Sequence, residues 1–250
     1  MTTAPLNRTV LWLTRRQLFA KQRLAVAVGL MLVPTMISLI YRVTTDNPAA
    51  DATGYLGMMY RGIVLGALLP ITALVFGTSA FGGEVEDGTL IYLMVKPVPR
   101  WHLSLSKYVV ALAATLAVIM PAIFLAWLAT PGNTPVRVPL SYAVGSAVGS
   151  IIYCAIFVTL GISSRRALAL GLLYIVAFEN VLSRNVAGAK SLSVREFALA
   201  VCKKVVGTAS DFTDVTVSMG TVWTMGTIFL VAALVAGVIK LQRYEVEERL

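Results

Sequence analysis

The chain has little of the chemistry on which most catalytic and metal sites depend. Its 250 residues include one histidine, His102, and two cysteines, Cys154 and Cys202. A single histidine cannot form a His-His metal pair, and no Ser-His-Asp arrangement is evident. The two cysteines lie far apart and form no Cys-x-x-Cys motif, so neither a disulfide framework nor a thiolate metal site is expected. We therefore expect no catalytic residue, metal or cofactor in this chain.

Charged residues are also scarce. They make up 13% of the chain, hydrophobic residues make up 58%, and the mean hydropathy is +0.81. Soluble globular domains carry about 25% charged residues. No alternating ten-residue pattern suggests a membrane β-barrel, and helices satisfy every backbone group within one segment. The sequence therefore predicts an all-α, polytopic membrane protein that forms a single transmembrane domain over residues 1–250.

Six segments are apolar over nearly the length needed to span a bilayer, which is about 20 residues for a helix. These predicted spans cover residues 24–43, 58–81, 108–129, 141–164, 167–184 and 221–241. Ahead of them, residues 7–23 carry several Arg and Lys side chains and precede a full-length apolar run. We interpret 7–23 as an interfacial helix and not as a cleavable signal.

The distribution of basic residues predicts the orientation. The net charge of +9 comes from Lys and Arg clustered beside the spans, which indicates a membrane surface and not nucleic acid. With the N-terminus inside, most of the 21 Lys and Arg residues fall on the inner side. We predict a protein of the cell (inner) membrane with both termini in the cytoplasm. The outer segment 185–220 departs from this pattern, because it is itself basic.

Part of that outer segment has helical amphipathicity. One arc holds Val194, Phe197, Ala198, Val201, Cys202 and Val205, and the other holds Arg195, Glu196, Lys203 and Lys204. The pattern predicts an outer amphipathic helix between spans five and six. It is compatible with a helix lying flat on lipid and with one that helps to close a pathway.

Small residues recur every fourth position in two spans. Ser141, Gly145 and Gly149 do so in span four, and Gly62 and Gly66 do so in span two. Small residues at this spacing allow helix backbones to approach closely. The partner helix could belong to the same chain or to a second subunit.

Glu179 stands out because it lies within predicted span five. An intramembrane carboxyl group is a candidate functional site that faces protein or water. Its candidate partners are Asn180, Arg184 and Arg61. Three interpretations remain open: the span ends early and Glu179 meets outer water, Glu179 joins an ion pair, or it contacts a substrate.

The loop of residues 82–107, between spans two and three, is acidic at first and basic later. Glu84, Glu86 and Asp87 precede a Lys-Pro-Val-Pro-Arg turn, and Lys107 opens the next span. Charges of this number cannot lie in hydrocarbon, so the loop belongs at a membrane surface. The plain alternative is a solvated loop whose charges merely prevent insertion.

This loop resembles that of bacterial ABC transporter permeases of the type-2 exporter family. The resemblance is carried by Glu84-x-Glu86-Asp87-Gly88-Thr89-Leu90, by Lys96-Pro97-Val98-Pro99-Arg100 and by Lys107. The six-span topology, the basic N-terminal helix and the outer helical segment extend the likeness to the whole chain. The motif says little about the substrate.

The resemblance implies a permease that couples to a separate ATPase. A cytoplasmic coupling helix in the loop would contact that subunit through Glu84, Glu86, Asp87, Gly88 and Thr89, beside Pro97, while Arg100 and Lys107 would stabilise the loop. Two ATPase copies would bind ATP and Mg, since this chain has no G-x-x-x-x-G-K-[ST] motif. Six spans would form half of an exporter, completed by a second permease half as a homodimer or heterodimer within membrane lipid.

Two other classes of function remain as alternatives. A secondary transporter or channel could use Glu179 as an ion site, although the two halves of the chain show no internal repeat. A membrane-embedded, lipid-modifying enzyme could use Glu179, Asn180 and Arg184, but no nucleophile-base pair supports it.

Overall fold

The structure is a computed structural model that describes residues 21–86, 100–132, 134–164, 166–182, 190–206 and 217–247. These residues are 89% helical, and no strand occurs among them. The all-α prediction is confirmed. Of the predicted interfacial helix 7–23, residues 7–20 lie outside the described residues, and Lys21 belongs to the first described helix.

Eight α-helices and two π-helical segments follow one another along the described chain. They are α1 (Lys21–Thr44), α2 (Ala52–Met59), the first π segment (Tyr60–Leu68), α3 (Leu69–Glu86), α4 (Arg100–Ala129), α5 (Arg137–Ser163), α6 (Ala167–Tyr174), the second π segment (Ile175–Leu182), α7 (Val194–Val206) and α8 (Met219–Glu247). The first π segment joins α2 to α3 without a break, and Pro70 is the second residue of α3. Since proline has no N–H group to donate, the backbone bonding of this helix must adjust near Pro70.

Five described helices are long and apolar enough to cross a membrane, whereas the sequence predicted six spans. They cover Ala25–Thr44, Ala52–Val85, Arg100–Ala129, Arg137–Ser163 and Met219–Gln242. In place of the predicted span 167–184 there is a shorter apolar helix, Ala167–Glu179. The α-helical geometry gives way there to the second π segment, which carries the polar residues Glu179 and Asn180.

Helix α5 is the centre of the bundle. It packs against α3, α4, α6, α7 and α8, and its buried side chains contribute to both hydrophobic clusters of the bundle. By contrast, α1, α6 and α8 expose many aliphatic side chains on their outer faces. A soluble monomer rarely exposes apolar surface on this scale, so these faces fit contact with lipid or with another subunit.

Glycines bring α5 close to its neighbours. A Cβ atom on Gly145 would lie 2.6 Å from the carbonyl oxygen of Ala198 in α7, and one on Gly161 would lie 2.8 Å from that of Thr78 in α3. Gly149 lies against side chains, since a Cβ atom there would be 2.8 Å from Cδ2 of Leu69 in α3 and 3.5 Å from Cβ of Ala198 in α7. Ser141, the first residue of the predicted stripe, is buried, and its hydroxyl group donates to the carbonyl of Val138.

The two glycines of span two differ from each other. A Cβ atom on Gly62 would meet nothing within 4 Å, whereas one on Gly66 would lie 3.6 Å from the guanidinium of Arg195. Gly62 therefore makes no close packing contact within the described chain, and Gly66 leaves space for a side chain of α7.

Hydroxyl groups also join the helices, each donating to a backbone carbonyl of a neighbour. The four longest-range bonds run from Tyr60 to Ile123, from Tyr108 to Ile151, from Tyr142 to Gly57 and from Thr159 to Ala233, over 2.7–3.2 Å. A buried hydroxyl without a partner is costly, so these bonds fix which residues of adjacent helices lie opposite one another.

Helix α7 packs into the bundle and does not lie flat on its surface. The predicted apolar residues Val194, Phe197, Ala198, Val201 and Cys202 are buried against neighbouring helices. The predicted faces need two corrections. Arg195 is only 8% exposed because its side chain turns toward Gly66, and Val205 is 40% exposed because it lies near the end of the helix.

The packing of α5 on α7 can be tested with two glycine-to-alanine substitutions. Gly145→Ala should lower the free energy of unfolding by about 1–3 kcal/mol, because its Cβ atom overlaps α7. Gly62→Ala has open space and should leave stability unchanged or raise it by up to about 1 kcal/mol through its helix propensity. Thermal unfolding in detergent measures both variants, and equal destabilisation would contradict the assigned packing.

Candidate functional site

Lys107 is the most enclosed charged group near the predicted coupling loop. Its side chain is 2% exposed, and its Nζ atom donates to Glu84 Oε1 and to the carbonyl oxygen of Ala80, both at 2.6 Å. The same atom lies 4.3 Å from the centroid of the Phe81 ring. The ammonium group is thus held by a carboxylate, a carbonyl and an aromatic face. These interactions offset part of the large cost of burying a charge.

The helices place these groups by their periodicity. Ala80 and Glu84 lie one turn apart on α3, so a carbonyl and a carboxylate face α4 together. Lys107 lies about two turns into α4 and reaches both. The pair therefore fixes where α3 ends relative to where α4 begins. These are the two ends of the predicted coupling loop.

The bounds of that loop are narrower than predicted. Residues 82–86 belong to α3 and residues 100–107 belong to α4, so both ends of the predicted loop 82–107 are helical. Each helix extends past the predicted span, and Glu84 and Lys107 bind each other within these extensions. Arg100 begins α4 and is partly buried.

The remaining predicted coupling residues cannot be placed. Asp87, Gly88, Thr89 and Pro97 lie outside the described residues, as does the side chain of Glu86. Their assignment to an ATPase contact stays a prediction.

Glu179 is buried in a polar cluster at the start of α7. Its carboxyl group is 1% exposed and accepts hydrogen bonds from the Ser193 hydroxyl at 2.6 Å and from the Val194 N–H at 3.1 Å. Tyr174 donates to it at 3.5 Å. Glu179 thus satisfies a backbone donor at the first turn of α7, where a helix leaves such groups unpaired.

These contacts differ from the partners expected from the sequence. The interpretation that the span ends early and leaves Glu179 in outer water is correct only in its first half, because the apolar helix ends at Glu179 but the side chain is buried. Arg184 and the side chain of Asn180 lie outside the described part of the chain. Arg61 enters the cluster through its backbone, since its carbonyl accepts a 3.1 Å hydrogen bond from Arg195 Nη2.

One sequence motif marks the position of this cluster. Ser193-Val194-Arg195-Glu196 has the Ser-x-x-Glu form of a helix capping box. In the structure the Ser193 hydroxyl accepts from the Glu196 N–H at 3.3 Å while it donates to Glu179. The motif locates the start of α7, but it could not reveal that a carboxyl group from another helix would bind there.

Both cysteines are buried, and their thiol groups are unreactive. Cys154 lies 3.4 Å from the Thr115 hydroxyl, and Cys202 lies between α7 and α5 beside Gly145. Burial raises the pKa of Cys202 to about 12, so its thiol stays protonated near neutral pH. Within the described ranges, no group of three or more His, Cys, Asp or Glu side chains could hold a metal ion.

Comparison with known protein families identifies the chain. The family model described as ABC-2 family transporter protein matches residues 17–180, about two thirds of the sequence. This chain belongs to the ABC-2 transporter family. The match includes the predicted loop 82–107 and ends just past Glu179. A search of the curated proteins gives no significant match.

Family membership establishes the general activity. The protein is a multi-pass membrane permease that takes part in transport. Proteins of its family are transport subunits and are not themselves catalysts. The polar groups described above therefore belong to a transport machine, in which they hold helices in place. The predicted resemblance of the chain to ABC-2 type permeases is confirmed.

The Lys107–Glu84 pair makes an asymmetric prediction for two single substitutions. Glu84→Leu leaves an ammonium group buried without its carboxylate and should cost about 3–5 kcal/mol of stability. Lys107→Met should cost less, because the Glu84 carboxylate is 13% exposed and can reach water. Unfolding of the purified chain in detergent measures both costs.

The double substitution separates the pair from the rest of the packing. Glu84→Leu with Lys107→Met should be destabilised by less than the sum of the single effects, by at least about 1 kcal/mol. Strict additivity would show that the two side chains do not stabilise each other.

Proposed function

We propose that this chain is the membrane-spanning permease subunit of an ATP-driven exporter and is moved by a separate ATPase subunit. ATP and Mg would bind to that partner. Membership in the ABC-2 transporter family is the observation that carries the proposal, because the family supplies the membrane part of such transporters. The motif of the 82–107 loop supports the direction of transport and the mode of coupling.

The buried Lys107–Glu84 pair supports a mechanical role for that loop. A loop that transmits force needs ends that do not move independently of the helices they join. Here the last turn of α3 and the first turns of α4 are tied by an ion pair and a hydrogen bond to Ala80. A push on the intervening residues would therefore move α3 and α4 together.

A complete pathway would need a second permease half. The exposed aliphatic side chains of α6, among them Leu168, Leu172 and Leu173, offer a face that a second copy or a homologue could cover. We propose that α6 and the second π segment belong to the sixth crossing. Two halves and two ATPase subunits would then complete the transporter.

The orientation follows from the positive-inside bias. The N-terminus, the 82–107 loop and the C-terminus would face the cytoplasm, where the ATPase and its ATP are found. The end of the bundle that carries α7 would then face outward. The cell (inner) membrane of a bacterium is the membrane that this arrangement fits.

The coupling loop is tested by a bulky substitution at Gly88. The tagged chain should co-purify with an ATPase in mild detergent, and Gly88→Trp should reduce both this association and ATP-dependent export by about tenfold. A tenfold loss requires only 1.4 kcal/mol, which a clash within an interface readily supplies. The thermal unfolding of the permease should not change.

A matched control is Gly29→Trp, which places the same side chain on the exposed face of α1. A Cβ atom there meets nothing within 4 Å, and the position is far in sequence from the loop. Absence of any ATPase from the purified protein, or equal loss in both variants, would contradict the proposed coupling.

The alternative of a secondary transporter or channel is distinguished by its energy source. Transport that survives ATP depletion but collapses with an ionophore would favour it. The hydrogen bonds of Glu179 to Ser193 and Val194 give that residue a structural role, so no observation favours it as an ion site over the exporter.

A further inference from the structure

Helix α7 is tied to two separate parts of the bundle by its first turn. Ser193 and Val194 bind Glu179 in the second π segment, and Arg195 binds the carbonyl of Arg61 in the first. The two π segments belong to different helices of the bundle, and the contacts with both come from three consecutive residues, Ser193 just before α7 and Val194 and Arg195 at its start.

These contacts lie far from the coupling loop. Arg61 and Glu84 are 23 positions apart on one uninterrupted helical stretch, α2 through α3, which corresponds to roughly 30 Å along its axis. The first turn of α7 and the Lys107–Glu84 pair therefore lie at opposite ends of the same rod. A shift of the α2–α3 stretch would therefore change the contacts of α7 and those of the Lys107–Glu84 pair.

The π segments are the places where these helices can change their backbone bonding. A π-helix is rare, usually limited to a single turn, and frequent at functional sites. Here the segments contain nine and eight residues. The Arg61 carbonyl that Arg195 binds belongs to such a segment, so a change of its geometry would move the acceptor away from Arg195.

Below this first turn, α7 covers a smooth face of α5. Gly145 and Gly149 present no side chain, and Ala198 and Cys202 lie directly on them. Such a face gives close packing but no interlocking side chains. The polar contacts of the first turn therefore supply much of the specificity that fixes α7 in place.

We propose that α7 is a hinged cover on α5, held closed by Glu179 and by Arg195 acting as positioning residues on the two π segments. Relative movement of the segments breaks one or both contacts and releases the cover. This proposal rests on the proposed transport function, because release of α7 would open the end of the bundle opposite the coupling loop.

Cys202 is a native reporter of this movement. It is fully buried between α7 and α5, and its protonated thiol reacts slowly because the thiolate is the nucleophile. Lifting α7 exposes the thiol and returns its pKa toward the ordinary value near 8.5. In a Cys154→Ala background, Cys202 is the only thiol of the chain.

The test measures the rate at which a charged, membrane-impermeant maleimide labels Cys202 in the full chain. Permeabilised membranes expose both faces, so the result does not depend on the orientation. Glu179→Gln and Arg195→Met should each raise the labelling rate by about tenfold, the effect expected from losing a buried hydrogen bond. Lys204→Met is the matched control for Arg195→Met, because it removes an exposed positive charge from the last turn of the same helix, away from both contacts.

Each outcome decides for or against the proposal. Faster labelling in the two variants but not in the control supports it. Unchanged labelling in variants that unfold at the wild-type temperature overturns it, and so does an equal increase in Lys204→Met. If Glu179→Gln fails to fold, Ser193→Ala removes one donor to Glu179 and carries the same expectation. The labelling requires neither an ATPase nor transport, so its failure would leave the proposed function standing, and the reverse also holds.

Discussion

The structure depends on how closely helix α5 approaches its neighbours. Gly145 and Gly161 allow backbone contact with α7 and α3, where a larger residue would force the helices apart, and Gly149 lies against side chains of the same two helices. Inside a bilayer this contact replaces the hydrophobic effect, because lipid tails are as apolar as the side chains they would release. Shape therefore holds the bundle together, and the apolar content of the chain does not by itself decide which helices are adjacent.

Polar groups at both ends of the bundle specify how the packed helices are arranged. At one end an ammonium group of α4 binds a carboxylate and a carbonyl of α3. At the other, Glu179 and Arg195 connect α7 to the π segments. Each group is buried and bound to partners on other elements, so loss of one partner strands another. Such contacts contribute modest net stability but specify one arrangement strongly.

Much of the fold could be read from the sequence, because bilayer thickness and hydropathy constrain the spans. Hydropathy predicted the all-α class, helical periodicity predicted most of the apolar face of α7, and the 82–107 loop was interpreted through its resemblance to a known family. The shortness of Ala167–Glu179 was not predicted, since a change from α- to π-helical bonding leaves no mark in hydropathy. The partners of Glu179 were missed for a related reason: a sequence shows which polar groups need partners, but tertiary packing chooses them. Arg195 was assigned to the polar face because periodicity carries no information about a gap above Gly66.

The first π segment has a geometric consequence for the whole rod from α2 to α3. A π turn holds more residues than an α turn, so the rod is shorter and wider than a regular helix of equal sequence. Restoring α-helical bonding in that stretch would lengthen the rod and rotate every side chain beyond it about the axis. Because Glu84 binds Lys107 at the far end, this rotation would be transmitted to α4. A change of backbone bonding in the first π segment would therefore couple rotation of the α2–α3 stretch near α7 to displacement of its end near Lys107.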